Sequence, residues 1–545
     1  MSGVITATIL SNNERMNPEY CLVSIDIIKE VNKIPVAQIT LLDGSGAEQE
    51  FEISNTDFFK PGNKIEIKLR YEGENKNEET VFKGIIVKHS VQADLHNSLL
   101  TIDLKDEAIK LTFERKSVVF RDIQDQEIIN RILKNAGLKI NSISPTKSKY
   151  KEIIQYYCSD WDFILSRADI NGQWVLVDDG EITVTTPDLK NPVKHTFEYG
   201  INDLHEFEME ADIENQYNIV ESIAWDIQKQ LNSKGTKAKN FSLSQGDLKP
   251  DQLAPLIGAK TYKLITCAEL DNNELQSWAN AKMIKTRLSM FKGRFKVPGF
   301  ANIKPGDIMK VDGISKRFNG TTIITAIRHQ IDSQGWRTDV QFGLSSNFFY
   351  EQNDNIIDAP ANGLLPGICS LQIGVIDKYE EDPKKQFRAK VKIPSIQNNG
   401  AIWARLASIG SGNKRGIFFR PEAGDEVIVG FINDDPRQAI ILGAVYSQKN
   451  KLPNGLKVTE KNEKKAIVTK ESLSLIFDDE NKSIEINTPN LNSLKLSDKN
   501  GSIHLEDENH NTIILDKEGI QIKSSKNITI EGKKIEIKGS VISLI

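Results

Sequence analysis

From residue 484 to 541 the chain repeats one short unit: an apolar residue, any residue, a second apolar residue, then a polar turn. The pairs are Ile484/Ile486, Leu494/Leu496, Ile503/Leu505, Ile513/Leu515, Ile520/Ile522, Ile528/Ile530 and Ile535/Ile537, followed by Val541. Their first members stand 10, 9, 10, 7, 8, 7 and 6 residues apart. Strands this short each offer two or three inward side chains, and repeats of this size cannot bury an apolar face alone. The pattern therefore predicts a stack against something else, and a narrow triangular prism wound from three chains satisfies it. Ile520, Ile522, Ile528, Ile530, Ile535 and Ile537 are the expected core of that prism. His504 and His510 stand near Asp507 and Glu508 but read as exposed turn residues, because a ligand set needs converging geometry that spacing alone does not supply.

Before the repeats, Leu371 to Leu452 reads as a small closed barrel. IGVID, RAKVKI, AIWARLASI, DEVIVGFI and AIILGAVY alternate apolar with polar residues or run almost wholly apolar, as half-buried and buried strands do. GIFFRP reads as a further strand after the loop GSGNKRG, and Trp403, Phe418 and Phe419 are expected to pack on strands. Pro421, Gly424 and Asp425 mark a tight turn before a strand, and Asp434, Asp435 and Pro436 mark another after it. Strands with loops of such uneven length fit a Greek-key barrel of the oligonucleotide/oligosaccharide-binding (OB) type.

The run from Pro421 to Tyr446, PEAGDEVIVGFINDDPRQAIILGAVY, closely resembles the OB-barrel signature of the VgrG spike proteins of contractile injection systems. KLTFERKSVVFRDIQDQEIINRIL and QYYCSDWDFILSR resemble the hub region of the same family. The second carries the family pattern on Gln155, Tyr156, Ser159, Asp160, Asp162, Phe163 and Arg167. Tyr157 and Cys158 depart from the charged pair of the commonest form. The resemblance implies a mainly β fold: two hub β-barrels with helical insertions, an OB barrel, and an intertwined β-helical prism in a trimer. The expected division is 1–110 first hub barrel, 111–205 helical and mixed hub segment, 206–360 second hub barrel with one long helix, 361–452 OB barrel and 453–545 needle.

The 545 residues allow several domains. A net charge of -5, with no concentrated basic stretch, argues against nucleic acid as a partner. No apolar run approaches the ~20 residues of a spanning helix, and MSGVITATIL lacks the features of a secretory signal. Cys21, Cys158, Cys267 and Cys369 stand too far apart for metal-ligand spacing and read as free, mostly buried thiols of a chain folded in a reducing cytoplasm.

Residues 1 to about 110 alternate as strands, with Gly44 to Gly46 as a hairpin turn and not a phosphate loop. Asp125 is a plausible cap for a helix burying Ile128, Ile129, Ile132 and Leu133, with Gly137 as its stop. Ser159 caps the next helix with Asp162 three residues on, so Asp160 and Asp162 read as helix-start acids, not a catalytic pair. A long helix from about Asn273 to Ser289 and a turn at Lys304 to Asp307 follow. His329 beside Arg328 reads as structural, and Asn353 to Gly367 is the expected linker into the barrel.

The resemblance implies a non-enzymatic homotrimeric spike without cofactor or metal. Its hub meets the inner tube ring and baseplate, and sheath contraction drives it through a target envelope. The alternative, a phage-type spike with cell-wall hydrolase activity, is disfavoured because the barrel passes straight into the repeats and the chain stops at Ile545. Val541, Ile542, Ser543, Leu544 and Ile545 form an uncharged, mainly apolar end. The resemblance implies that it docks a PAAR-repeat tip protein with any effector cargo. A chain of this kind is made in the cytoplasm without a signal peptide and leaves as part of the particle.

Overall fold

The computed structural model describes residues 4–543, apart from 47–48, 73–77, 95–97, 202–203, 205, 259 and 397–399. The fold is mostly β and divides into two units, Met1–Ala359 and Pro360–Ile545.

In the first unit, alternation does what the sequence promises. Leu22–Glu30 buries Ile25 and Ile27 while Ser24 and Asp26 turn away. It belongs to a 14-stranded sheet that draws on both ends of the unit, because Ile25–Glu30 pairs antiparallel with Ala326–Ile331. Two apolar cores lie on this sheet. One gathers Ile25, Ile39, Ile67, Phe82 and Ile102, and the other Phe295, Ile324, Val340 and Phe342. His329 is buried on the shared strand, with Nδ1 2.8 Å from Thr338 Oγ1 and accepting from Trp336 Nε1 at 3.3 Å. Burial lowers its pKa to about 3, so it stays neutral and structural. Gly44 (φ +105°) opens the turn at Ser45, which bridges to Glu50.

Between these parts sit two short helices. Helix Asp125–Asn135 buries Ile128, Ile129, Ile132 and Leu133 as expected, but its cap is Gln124, whose backbone N–H donates to Glu127 at 2.9 Å. Asp125 is instead the first helical residue and fully buried. Arg167 grips its carboxylate at 2.7 and 3.1 Å, and Asn171 donates to it at 2.8 Å. The expected capping role is corrected by this charge pairing, which ties the helix to Asp160–Ile170.

The second helix starts as predicted, with Ser159 Oγ accepting from the Asp162 N–H at 3.0 Å. Asp160 is held by Lys116 at 2.6 Å and Gln155 at 3.0 Å, and so is committed to structure. Tyr156 and Tyr157 are exposed at a β-bulge where Tyr157 takes φ +43°. The long helix spans Asn272–Leu288, capped by Asp271, and the Lys304–Asp307 turn has Gly306 at φ +91°. The thiols are free, but only Cys158 is buried. Cys21, Cys267 and Cys369 are exposed, which corrects the expectation of mostly buried cysteines.

In the second unit, Gln372–Ile376, Ala389–Lys392, Ala401–Leu406, Glu426–Phe431 and Ala439–Ala444 form a closed barrel. Ile376, Val391, Ala404, Val427, Val429 and Ile441 fill it. Gly424 takes φ +95° in the turn before Glu426–Phe431, and Asp425 accepts from the Glu422 N–H at 2.7 Å. GIFFRP is not a barrel strand. Ile417 to Pro421 lie outside any strand, with Phe418 78% and Phe419 64% exposed, which overturns their expected packing. Trp403 is half-buried on its strand, with Arg388 and Lys390 5.4 and 5.3 Å from its ring centre.

Candidate assembly surface of the C-terminal sheet

The repeats fold as a seven-stranded antiparallel meander: Lys464–Val468, Ser474–Asp478, Ser483–Asn487, Ser493–Ser497, Ser502–Glu506, Thr512–Asp516 and Gly519–Lys523. Each strand has five residues, so its second and fourth side chains share one face and the other three share the opposite one. Register then aligns the apolar pairs across strands. Leu475 faces Ile486, which faces Leu494, then Leu505, Ile513 and Ile522. Phe477, Ile484, Leu496, Ile503, Leu515 and Ile520 form the second column in the same way. Cross-strand pairs of this kind are the unit of sheet stability.

The pair Leu475/Phe477 extends both columns beyond the repeats recognised in the sequence, and Ile467 of the strand Lys464–Val468 extends the first, while Lys465 stands opposite Phe477 in the second.

The opposite face is mainly polar, with Ile476 and Ile514 among its side chains. Glu485 pairs with Lys495 at 2.5 Å, and Ser474, Ser493 and Ser502 open their strands there. The turns take residues in the left-handed region: Ser472, Lys482, Leu491, Gly501, His510 and Gly519. His510 Nδ1 lies 3.0 Å from Glu506, Asp507 accepts from Asn511 at 2.8 Å, and His504 sits mid-strand on the polar face. Among the described residues no group of three such side chains is placed to hold a metal.

Column residues remain open to solvent in the single chain. Ile484, Leu496, Leu505 and Ile513 are each 39% exposed although they occupy the middle of the sheet. Of the six expected core residues, Ile520 and Ile522 lie in the last strand, while Ile528, Ile530, Ile535 and Ile537 lie outside any strand and are exposed. Val541, Ile542 and Ser543 are exposed, and Leu544 and Ile545 fall outside the described residues. An apolar sheet face this size, left bare by its own chain, has the character of an interaction surface.

Three family descriptions match the chain. "Alg8 N-terminal domain" covers residues 1–333, "Type VI secretion system/phage-baseplate injector OB domain" covers 372–446, and "Phage baseplate V C-terminal trimerisation domain" covers 483–542. Similar proteins include the type VI secretion system spike proteins VgrG3 of Vibrio cholerae and VgrG5 of Pseudomonas aeruginosa. VgrG3 is 38% identical over 74 residues and VgrG5 34% over 62. Those stretches are 13% and 11% of this chain but only 7% and 8% of the relatives. Similar solved structures include a tail protein from Neisseria meningitidis (TM-score 0.46, 14% identity, 65% of this chain and 97% of that one). Another is the Francisella PdpA-VgrG complex (TM-score 0.41, 11% identity, 95% and 80%). By its first 333 residues the chain belongs to the family of the Alg8 N-terminal domain, and the matches to the injector OB and trimerisation domains that follow support a VgrG-like spike protein.

Proposed function

We propose that three copies of this chain assemble through the C-terminal sheet into the spike of a contractile injection system, which acts mechanically and not as an enzyme. The observation that carries this reading is the pair of bare apolar columns from Leu475 to Ile522. Covering the 39% of such a side chain that is still exposed contributes about 0.6–1.2 kcal/mol, and a threefold arrangement covers three faces at once.

In this reading residues 1–360, as hub segments 1–110, 111–205 and 206–360, meet the inner tube ring and the baseplate. The barrel (361–452) adapts hub to needle, and residues 453–545 form the needle. Ile528 to Ile537 gain strand partners from neighbouring chains, and Val541 to Ile545 dock a PAAR-repeat tip protein with any effector cargo. The assembled particle carries the spike out of the cell and through a target envelope.

The test is co-sedimentation of the tagged chain with sheath and tube proteins from producing cells. The reading predicts that the chain pellets with the particle, and that Leu496→Asp leaves it behind in the supernatant. A wild-type chain that stays soluble and apart from every tube-containing fraction contradicts it.

A further inference from the structure

One surface of the barrel is explained neither by its core nor by the apolar columns. Residues 411–419, SGNKRGIFF, are exposed without a break. Ser411–Gly412 pairs with Arg415–Gly416 as a small hairpin, and Asn413 and Lys414 (φ +57°) make its turn. Its base is fixed: the Ile417 N–H donates to Gly410 O at 2.9 Å, and Ser408 Oγ donates to Ile417 O at 2.6 Å. The projection is therefore a built hairpin and not a trailing loop.

Its chemistry has two parts. Ile409 (93% exposed), Phe418 and Phe419 present bare apolar surface. Lys414, Arg415 and Arg420 supply the charge, and residues 407–421 contain no carboxylate although the whole chain is net acidic. Arg420 stacks 4.2 Å from the centre of the Tyr379 ring, which holds it beside Phe418. Aromatic side chains interleaved with uncompensated cations are the composition that settles at the headgroup layer of an anionic bilayer. An isologous self-interface fits poorly, because it brings identical cationic hairpins together without an acid between them, and a contact with a different surface of a neighbouring copy is told apart by the assembled mass measured below.

We propose that the 407–421 hairpin is a lipid-contacting element that binds anionic bilayer surfaces, with Phe418 and Phe419 entering the headgroup layer and Lys414 and Arg415 meeting its charge. Vesicle binding by the purified chain does not depend on the spike reading, so the two fail separately.

The test is flotation of the full-length chain with vesicles of phosphatidylcholine alone or containing phosphatidylglycerol. Wild type should float with the anionic vesicles, bind neutral ones about tenfold more weakly, and lose binding as salt rises. Lys414→Gln with Arg415→Gln should abolish the preference for anionic vesicles. Phe418→Ser with Phe419→Ser should abolish flotation at unchanged assembled mass. Wild type that fails to float, or that floats equally on neutral vesicles, overturns the proposal. So does a phenylalanine variant that floats as wild type does, or one whose assembled mass changes, which would mark the hairpin as a contact between copies.

Discussion

The barrel and the C-terminal sheet are built from the same material and end in opposite states. Both use short strands with alternating Ile, Val and Leu, antiparallel throughout in the sheet and in all but one pairing of the barrel, and both stack those residues in register. In the barrel, Gln372–Val375 finds Glu426–Val429 and Arg405–Leu406 finds Ile440–Ile441, so the sheet closes and Val391, Val427 and Val429 are sealed inside. In the meander, Lys464–Val468 and Gly519–Lys523 each pair with one neighbour only, and the apolar columns stay open. Alternation thus declares an apolar face without saying who covers it. Closure answers within the chain; an unclosed sheet passes the question to another copy.

The comparison breaks most visibly with a charge placed in each face. Val429→Asp puts an unpaired carboxylate in a sealed core, costs about 4 kcal/mol or more, and should unfold the barrel at any protein concentration. Leu496→Asp sits at a partly exposed position. It should leave each chain folded by circular dichroism yet dissociate the assembly, because three charges meet at one level of the needle. Identical behaviour of the two variants would erase the distinction.

Burial within one chain also leaves a pH signature. Folding lowers the His329 pKa from 6.5 to about 3, so its neutral form contributes stability above pH 6.5 that is lost as pH falls toward 3. At pH 4 the loss is about 3 kcal/mol. His329→Gln should therefore show a smaller fall in urea midpoint between pH 7 and pH 4 than wild type, and an equal fall would contradict the assignment.

A smaller effect is expected at the barrel rim. The Arg388 guanidinium, 2.6 Å away, holds the Asp382 carboxyl below its ordinary value, with the N–H groups of Lys384, Gln386 and Arg388 assisting. That stability is present above pH 3.8 and lost as pH falls below it. Asp382→Asn should lower the barrel's melting temperature slightly at pH 7 and by less at pH 2.

How much was legible follows the same line. The five barrel strands were readable because each carries its own alternation and closure needs no outside partner. Ser159 was readable because a cap is a local device. Asp125 was misread because its local preference for a helix start is satisfied equally well by a residue whose charge is spent on Arg167, 42 positions away. Phe418 and Phe419 were misread because aromatic residues between strand-like runs look like core, whereas here they follow a small exposed hairpin and are themselves exposed. In the sheet, the repeats from Ile484 to Ile522 were visible as strands, but Ile528 to Ile537 form no strand in the single chain, because two apolar residues per repeat declare a face without supplying its partner.

The central claim is that the open columns are closed by two further copies. Light scattering of the purified full-length chain measures this directly. The account predicts a mass three times the 61.2 kDa of one chain, falling to one chain's mass in Leu496→Asp. A wild-type mass of a single chain would contradict it.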